Sequence, residues 1–174
     1  GVIGEDSVFA QVPFNRVVNE SFEDGTTDGW EPFPEGNTSF AVDIEGTNIY
    51  GSDATLEVYD GQYALKQWGQ YDGTNDNYGS FGQWYNVGDL GLVVGGEMKL
   101  GGAMMSHADD WIGQGNNSGY LIIYFNDAGG YFDYVMSDLV DANAAASEWH
   151  ELEVSAIVPE GTETIWAGVE FYQA

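Results

Sequence analysis

Short stretches of alternating apolar and polar residues, divided by clusters of Gly, Asn and Asp, recur along the 174-residue chain. YLIIYFN and YFDYVM flank the tetrapeptide DAGG, a pattern that predicts a β-hairpin. The one helix-favouring stretch, SDLVDANAAAS (137–147), is short enough to be no more than a turn. Many short strands separated by turn residues at this spacing predict an antiparallel β-sandwich, and therefore an all-β fold.

The same pattern places the individual strands. No internal repeat, linker or break in composition divides the chain, so a single domain is expected. We expect residues 15–174 to form the sandwich, with residues 1–14 as an additional N-terminal strand. Trp30 and Trp166 are expected in the core. The predicted strands are Val2–Val12, Arg16–Phe22, Ser39–Ile44, Thr55–Tyr59, Gln62–Trp68, Ser80–Val87, Glu97–Met105, Tyr120–Asn126, Tyr131–Met136, Trp149–Val158 and Thr164–Tyr172.

Net charge narrows the range of partners. The chain has twenty-nine acidic residues and only three basic ones, Arg16, Lys66 and Lys99, so its formal net charge is −26. Binding to nucleic acid or to an anionic membrane depends on Lys and Arg, so neither is an expected partner. No apolar run is long enough to insert into a membrane, and the absence of cysteine excludes disulfides and thiolate metal sites. A first residue other than Met is compatible with a processed protein, and we expect an extracellular or cell-surface location.

Sequence signatures of catalysis are absent. The chain has no nucleophile elbow, no phosphate-binding glycine loop and no HExxH motif. His107 and His150 are the only histidines of the chain, and nothing in their surroundings marks them as catalytic. Carboxylate pairs of the glycosidase type are too numerous for any one pair to stand out. We therefore predict a non-catalytic protein.

The stretch VVNESFEDGTTDGWEPF resembles the opening of jelly-roll carbohydrate-binding modules of the family 4, 9, 16 and 22 type. GQYALKQWG (61–69), GSFGQWYNV (79–87) and SGYLIIYFNDAGG (118–130) follow in the order of the same family. The resemblance covers nearly the whole chain from Val17 to Tyr172. It implies a jelly-roll β-sandwich.

The family's closing strand has no counterpart before Ala174, but the opening stretch GVIGEDSVFAQV has its character. Gly1, Ile3, Asp6 and Val8 fall where that strand has glycine, apolar, aspartate and apolar residues. The resemblance thus implies a permutation, in which an N-terminal strand closes the sandwich. Its apolar residues are Val2, Ile3, Val8, Phe9 and Val12.

Two functions follow from such a strand. If it enters a neighbouring copy, the contact is head-to-tail and builds an open extracellular filament, a homopolymer. If it closes its own sheet, the protein is a monomeric polysaccharide-binding module of a secreted enzyme or adhesin. We expect the filament and keep the module as the alternative.

The resemblance also implies a structural calcium ion. Carried over to this chain, its ligands are Glu23, backbone carbonyls around Gly25 and Lys66, and Asp6 of the opening strand. Calcium takes six to eight oxygen ligands, which an acidic chain can supply. The alternative is that Glu23 and Asp6 are solvated acids without an ion.

Polysaccharide binding requires exposed aromatic rings that stack on sugar faces. The candidates are Trp68, Tyr71, Trp84, Tyr85 and Trp111. Neighbouring residues of a strand point to opposite faces, so either Trp84 or Tyr85 should be buried in the core.

Overall fold

A computed structural model describes residues 16–33, 39–48, 55–68, 76–89, 91–113 and 115–174. The predicted strand Val2–Val12 therefore lies outside the described residues. A short 3-10 helix spans Ala108–Asp110, and no helix within these ranges is long and apolar enough to cross a lipid bilayer. The strands are β1 (Glu31–Phe33), β2 (Ser39–Ile44), β3 (Tyr63–Trp68), β4 (Asn77–Asn86), β5 (Glu97–Met104), β6 (Ser118–Asp127), β7 (Gly130–Met136), β8 (His150–Ile157) and β9 (Thr164–Gln173).

Five strands form one antiparallel sheet in the order β1-β4-β9-β6-β7. β9 lies at its centre and pairs with β4 along ten residues, from Thr164 opposite Asn86 to Gln173 opposite Asn77. Its other edge pairs with β6. The hairpin predicted at DAGG is confirmed, with Asp127 opposite Gly130. Gly130 has a φ of 118°, which only glycine adopts readily.

A second layer packs against this sheet and consists of two antiparallel pairs, β2-β3 and β5-β8. On one side, Phe40 of β2 packs on Phe81 of β4 with ring centroids 4.2 Å apart. On the other side, Leu100 of β5 and Val154 of β8 join a cluster with Ile123 of β6. The two layers confirm the predicted all-β sandwich.

Strand alternation explains the burial along β6. Leu121, Ile123 and Phe125 face the second layer and are almost fully buried. The intervening residues face the other side of the sheet. Trp166 is fully buried, as predicted, whereas Trp30 is only half-buried and its ring packs between those of Phe22 and Phe81.

Two predicted strands are wrong. Within residues 16–22, residues 18–21 form a turn, and Asn19 and Phe22 have φ values of 50° and 59°, a conformation that cannot continue a strand. The indole of Trp30 donates to the carbonyls of Val18 and Asn19 and so holds the turn. In the range 55–59, only Thr55 makes a β-bridge. β1 was not predicted from the sequence. Residues 137–147 contain turns and a β-bridge between Val140 and Gly119, and they form no helix.

Candidate functional site

The face of the five-stranded sheet that points away from the second layer is rich in aromatic residues, and we call it the aromatic face. Trp84 of β4, Trp166 of β9, Tyr124 of β6 and Tyr134 of β7 lie directly opposite one another in the strand register. Residues in such a row project from the same face of a sheet. The row therefore crosses four strands, about 14 Å at the usual strand separation.

Ring contacts make this row continuous. Tyr124 lies 6.0 Å from both Trp166 and Tyr134 between ring centroids, and Tyr131 lies 5.4 Å from Tyr124. Phe33 of β1 contacts Trp166 and meets the edge of Trp84 at 5.5 Å. Trp84, Tyr134 and Tyr131 are respectively 41%, 52% and 63% exposed, so the row ends in rings that solvent can reach.

A neighbouring row holds a buried carboxylate. Glu170 of β9 is only 5% exposed and lies opposite Ser80 of β4 and Tyr120 of β6. The hydroxyls of Ser80 and Tyr120 donate to it, and Tyr124 donates to Oε2 at 3.1 Å. Three hydroxyl donors offset the cost of burying the carboxyl group.

The tyrosine hydroxyls of this network remain protonated at neutral pH. Burial raises the pKa of Tyr120 well above its ordinary value, and the hydrogen bond to Glu170 raises it further. Burial also raises the pKa of Tyr124, with the charge of Glu170 as the second cause. Both hydroxyls are thus fixed donors to Glu170, which sets the direction of their remaining lone pairs.

A cleft of about 500 Å³ opens at one end of the aromatic face. The rings of Tyr78, Tyr120 and Tyr172 line one side, and Asp141 and Asn143 of the loop after β7 line the other. Tyr78 and Tyr172 pack 4.7 Å apart between centroids. Aromatic walls with a few polar groups, at this volume, are typical of a small-molecule or oligosaccharide site.

No protein-family profile and no curated protein matches the chain. Several solved structures, however, have a similar fold. The tandem of family 22 carbohydrate-binding modules from Paenibacillus barcinonensis Xyn10C aligns with a TM-score of 0.53 at 15% identity, over 88% of this chain and 42% of that one. The C-terminal family 22 module of Clostridium thermocellum Xyn10B aligns with a TM-score of 0.51 at 13% identity, over 88% of this chain and 85% of that one. The fold is that of a jelly-roll carbohydrate-binding module.

This module fold also occurs inside larger proteins of other activity. The enzymatically active domain of tailspike protein 4 from bacteriophage CBA120 aligns with a TM-score of 0.52 at 12% identity, over 91% of this chain. The chain spans about a fifth of that domain and about two fifths of the tandem module. At these identities the likeness shows the fold, and the expected jelly-roll resemblance is confirmed. The permutation of the closing strand stays a prediction.

The structure distributes the predicted sugar-binding residues over three places. Trp84 lies on the aromatic face. Tyr85 points to the opposite face, where it packs against the core and donates to Gln83 at 2.9 Å. Trp68 and Trp111 line a separate groove between β3 and β5, and Tyr71 lies outside the described residues.

Sequence reasoning missed the centre of the aromatic face. Tyr120 and Tyr124 lie two positions before and two positions after Ile122 in YLIIYF, and Glu170 and Tyr172 lie two positions apart in VEFYQ. This period of two places each pair on one face of its strand. What the sequence did not reveal was that β6 and β9 are neighbours.

The predicted calcium ligands are only partly brought together. The Glu23 carboxylate accepts from the backbone N–H groups of Gln62 and Tyr63 at 2.9–3.0 Å, and Gly25 lies against the Tyr63 ring. Lys66 lies three residues farther along β3, with its ammonium 2.8 Å from Asp43.

Glu23, Gly25 and Lys66 do not by themselves provide a coordination shell for calcium. Among the described residues, no three Asp, Glu, His or Cys side chains converge as metal ligands. The Glu23 carboxylate instead accepts from the N–H groups of Gln62 and Tyr63. These hydrogen bonds anchor the loop that contains Glu23 to the start of β3. Asp6 lies outside the described residues, so calcium stays a prediction.

Proposed function

We propose that this chain is a non-catalytic polysaccharide-binding module and that the aromatic face binds the sugar chain. The observation that carries the proposal is the row of Trp84, Trp166, Tyr124 and Tyr134 beside the buried Glu170. The likeness to family 22 carbohydrate-binding modules supports it at the level of the fold.

The two parts of the face have different roles. Exposed rings at both ends of the row, Trp84 and Tyr134, offer flat apolar surfaces on which the C–H faces of pyranose rings stack. The hydroxyls held by Glu170, from Tyr120 and Tyr124, have fixed orientations and so select among sugar hydroxyl positions. Stacking supplies affinity, and the hydroxyl network supplies specificity.

Charge restricts the class of polysaccharide. A formal charge of −26 repels uronic-acid and sulfated polymers, so the proposed ligand is a neutral polysaccharide. Such polymers surround cells, which supports an extracellular or cell-surface location.

Affinity gel electrophoresis tests the proposal. Native gels are cast with xylan, mixed-linkage glucan, mannan or, as the anionic control, pectate. We expect a neutral polymer to retard the wild-type protein and pectate to leave it unretarded. The Trp84→Ala/Tyr134→Ala double variant should lose most of the retardation, since each stacking contact is worth about 0.5–1.5 kcal/mol.

A matched control separates this loss from general damage. Tyr59 is 53% exposed on the second layer, away from the aromatic face, so Tyr59→Ala should bind like the wild type. The proposal is wrong if no polysaccharide retards the wild type, or if Tyr59→Ala reduces retardation as much as the double variant does.

A further inference from the structure

A groove of about 1160 Å³ separates the two strand pairs of the second layer, and we call it the β3–β5 groove. All residues of β3, Tyr63–Trp68, line it, as do the consecutive residues Gly101–Met104 of β5. Side chains of a strand alternate between two faces. A strand whose consecutive residues all line a cavity therefore borders it with its edge. In the described part of the chain, β3 pairs with β2, β5 pairs with β8, and no ladder joins β3 to β5.

The floor of the groove is an apolar strip of the central strand. Ile165 and Ala167 of β9 face the second layer and are 0% and 6% exposed. Val169 and Phe171 project from the same face of β9 but are only half-buried where the groove opens. Val169 and Phe171 are therefore less completely covered by the second layer than Ile165 and Ala167 are. An apolar side chain placed in the groove would cover them and complete the core.

Two buried donors also border the groove. The indole N–H groups of Trp111 and Trp149 are buried and have no acceptor among the described residues, and both residues line the groove. A buried unsatisfied donor costs about 1–3 kcal/mol. Gly101 and Gly102 are exposed and have no side chain, so another backbone can approach β5 closely. An extended segment with apolar side chains fits the apolar strip of β9 and the strand edges of β3 and β5.

We propose that the β3–β5 groove binds residues 2–12 of a second copy of this chain as an added strand. The segment carries the apolar residues Val2, Ile3, Val8, Phe9 and Val12, and Pro13 after it has no N–H to donate to a strand ladder. Fully extended it reaches about 36 Å, against about 20 Å for the six residues of β3. The segment is therefore about 16 Å longer than β3 and can span the whole edge of that strand.

A short hinge favours a second copy over self-insertion. The backbone of Val18 is held by Gln83, which accepts from its N–H at 3.1 Å and donates to its carbonyl at 2.6 Å. Trp30 donates to the same carbonyl at 2.9 Å. Only residues 13–17 connect this anchor to the segment, and Pro13 stiffens them. Short, strained hinges promote exchange of a strand between copies.

The geometry of such an exchange determines the assembly. Groove and segment are different surfaces, so the contact is head-to-tail and produces an open filament unless it closes into a ring. Each copy carries a charge of −26, so we expect the filament to lengthen as ionic strength rises and screens the repulsion.

Cysteine crosslinking tests the proposal directly, because the chain has no cysteine of its own. Donor variants carry a single cysteine in the segment, and acceptor variants carry one on β5. Each donor is mixed with each acceptor under mild oxidation and resolved on a non-reducing gel. The control acceptor places its cysteine on β8 outside the groove, at a residue that is 60% exposed. The substitutions are Ile3→Cys, Ser7→Cys, Val8→Cys and Phe9→Cys for donors, Gly101→Cys and Ala103→Cys for acceptors, and Ile157→Cys for the control.

We expect at least one donor to form a disulfide-linked dimer with Gly101→Cys or Ala103→Cys and none with Ile157→Cys. The double variant of the reacting pair should form a ladder of multimers. A crosslink confined to single chains of the double variant would overturn the proposal, because the segment would then fill its own groove. Absence of any groove crosslink, or equal reaction with Ile157→Cys, would overturn it as well.

Point variants give a second readout that does not rely on crosslinking. Val8→Asp and Phe9→Asp place a charge in the segment while leaving the described sandwich unchanged. We expect either variant to reduce the assembled fraction at least tenfold in size-exclusion chromatography, with an unaltered circular dichroism spectrum. Assembly equal to that of the wild type would contradict strand donation.

Discussion

The hydroxyl of Tyr124 donates a hydrogen bond to Glu170 Oε2 at 3.1 Å, which joins β6 to β9 on the aromatic face. Glu170 lies almost fully buried on this face, opposite Ser80 of β4 and Tyr120 of β6. A charged acceptor at this position orients the hydroxyls around it. Glu170 therefore links β4, β6 and β9 and also fixes the orientation of the hydroxyl groups on the aromatic face.

Replacing this carboxylate tests how much the hydroxyl network contributes to stability. Glu170→Gln has one acceptor oxygen for the hydroxyls of Ser80, Tyr120 and Tyr124, and its amide group adds donors where acceptors are needed. We expect a loss of about 1–3 kcal/mol in the free energy of unfolding, measured by urea denaturation. The exposed Glu163 on the preceding loop provides the control, and Glu163→Gln should change stability little. Equal stability of the two variants would contradict the network.

Two glycines let the central strands meet beneath Trp166. Gly82 of β4 lies opposite Gly168 of β9, and a Cβ atom at Gly82 would lie 2.4 Å from the Ala167 carbonyl oxygen and 2.7 Å from the Trp166 ring. Gly82→Ala should therefore destabilise the fold by about 1–3 kcal/mol through overpacking. Gly88→Ala is the matched control, since nothing lies within 4 Å of its added Cβ. Thermal denaturation of both variants checks the difference, and equal melting temperatures would show that the sheet tolerates the added methyl group.

Much of the fold follows from the sequence because strand alternation is a local property. The β6–β7 hairpin and the strands β2 to β9 appear within a few residues of their predicted ends. Residues 16–22 failed because a tertiary contact, the Trp30 indole on the carbonyls of Val18 and Asn19, replaces a strand ladder with a turn. Local pattern cannot reveal a partner that is more than ten residues away.

The candidate site was harder to predict because it depends on strand order. Trp84 belongs to the aromatic face, but its neighbours Trp166 and Tyr124 come from strands distant in sequence. Antiparallel strands can be arranged in many orders, and only the order β4-β9-β6 aligns these rings. Trp68 and Trp111 were predicted as sugar-binding residues but line the β3–β5 groove, not the aromatic face.

Tyrosine ionisation gives a pH dependence with a definite sign. Burial raises the pKa of Tyr85 to about 12, whereas the unfolded chain has tyrosines of pKa about 10. The native state therefore keeps protons that the unfolded state has lost, and stability should fall as pH rises from about 10 to 12. Tyr85→Phe should reduce this slope in urea denaturation at several pH values, and an unchanged slope would show that Tyr85 does not contribute.

Calcium binding is tested by chelation. If Glu23 ligates an ion together with Asp6, EGTA should lower the melting temperature of the wild type, since the ion binds only the native state. Glu23→Gln should be less stable and should have lost the response to EGTA. Glu45→Gln, an exposed acid on the turn after β2, should keep the response. A wild-type melting temperature that EGTA leaves unchanged would exclude the ion.

The most direct test of polysaccharide binding is a titration of the isotope-labelled protein with an oligosaccharide of the neutral polymer that retards it most in affinity gels. Amide and side-chain chemical shifts then report which surface binds. We predict that the largest changes fall on the aromatic face, at the Trp84 and Trp166 indoles and the amides around Tyr124 and Glu170. Changes confined to the β3–β5 groove, or no changes at saturating oligosaccharide, would contradict the proposed function.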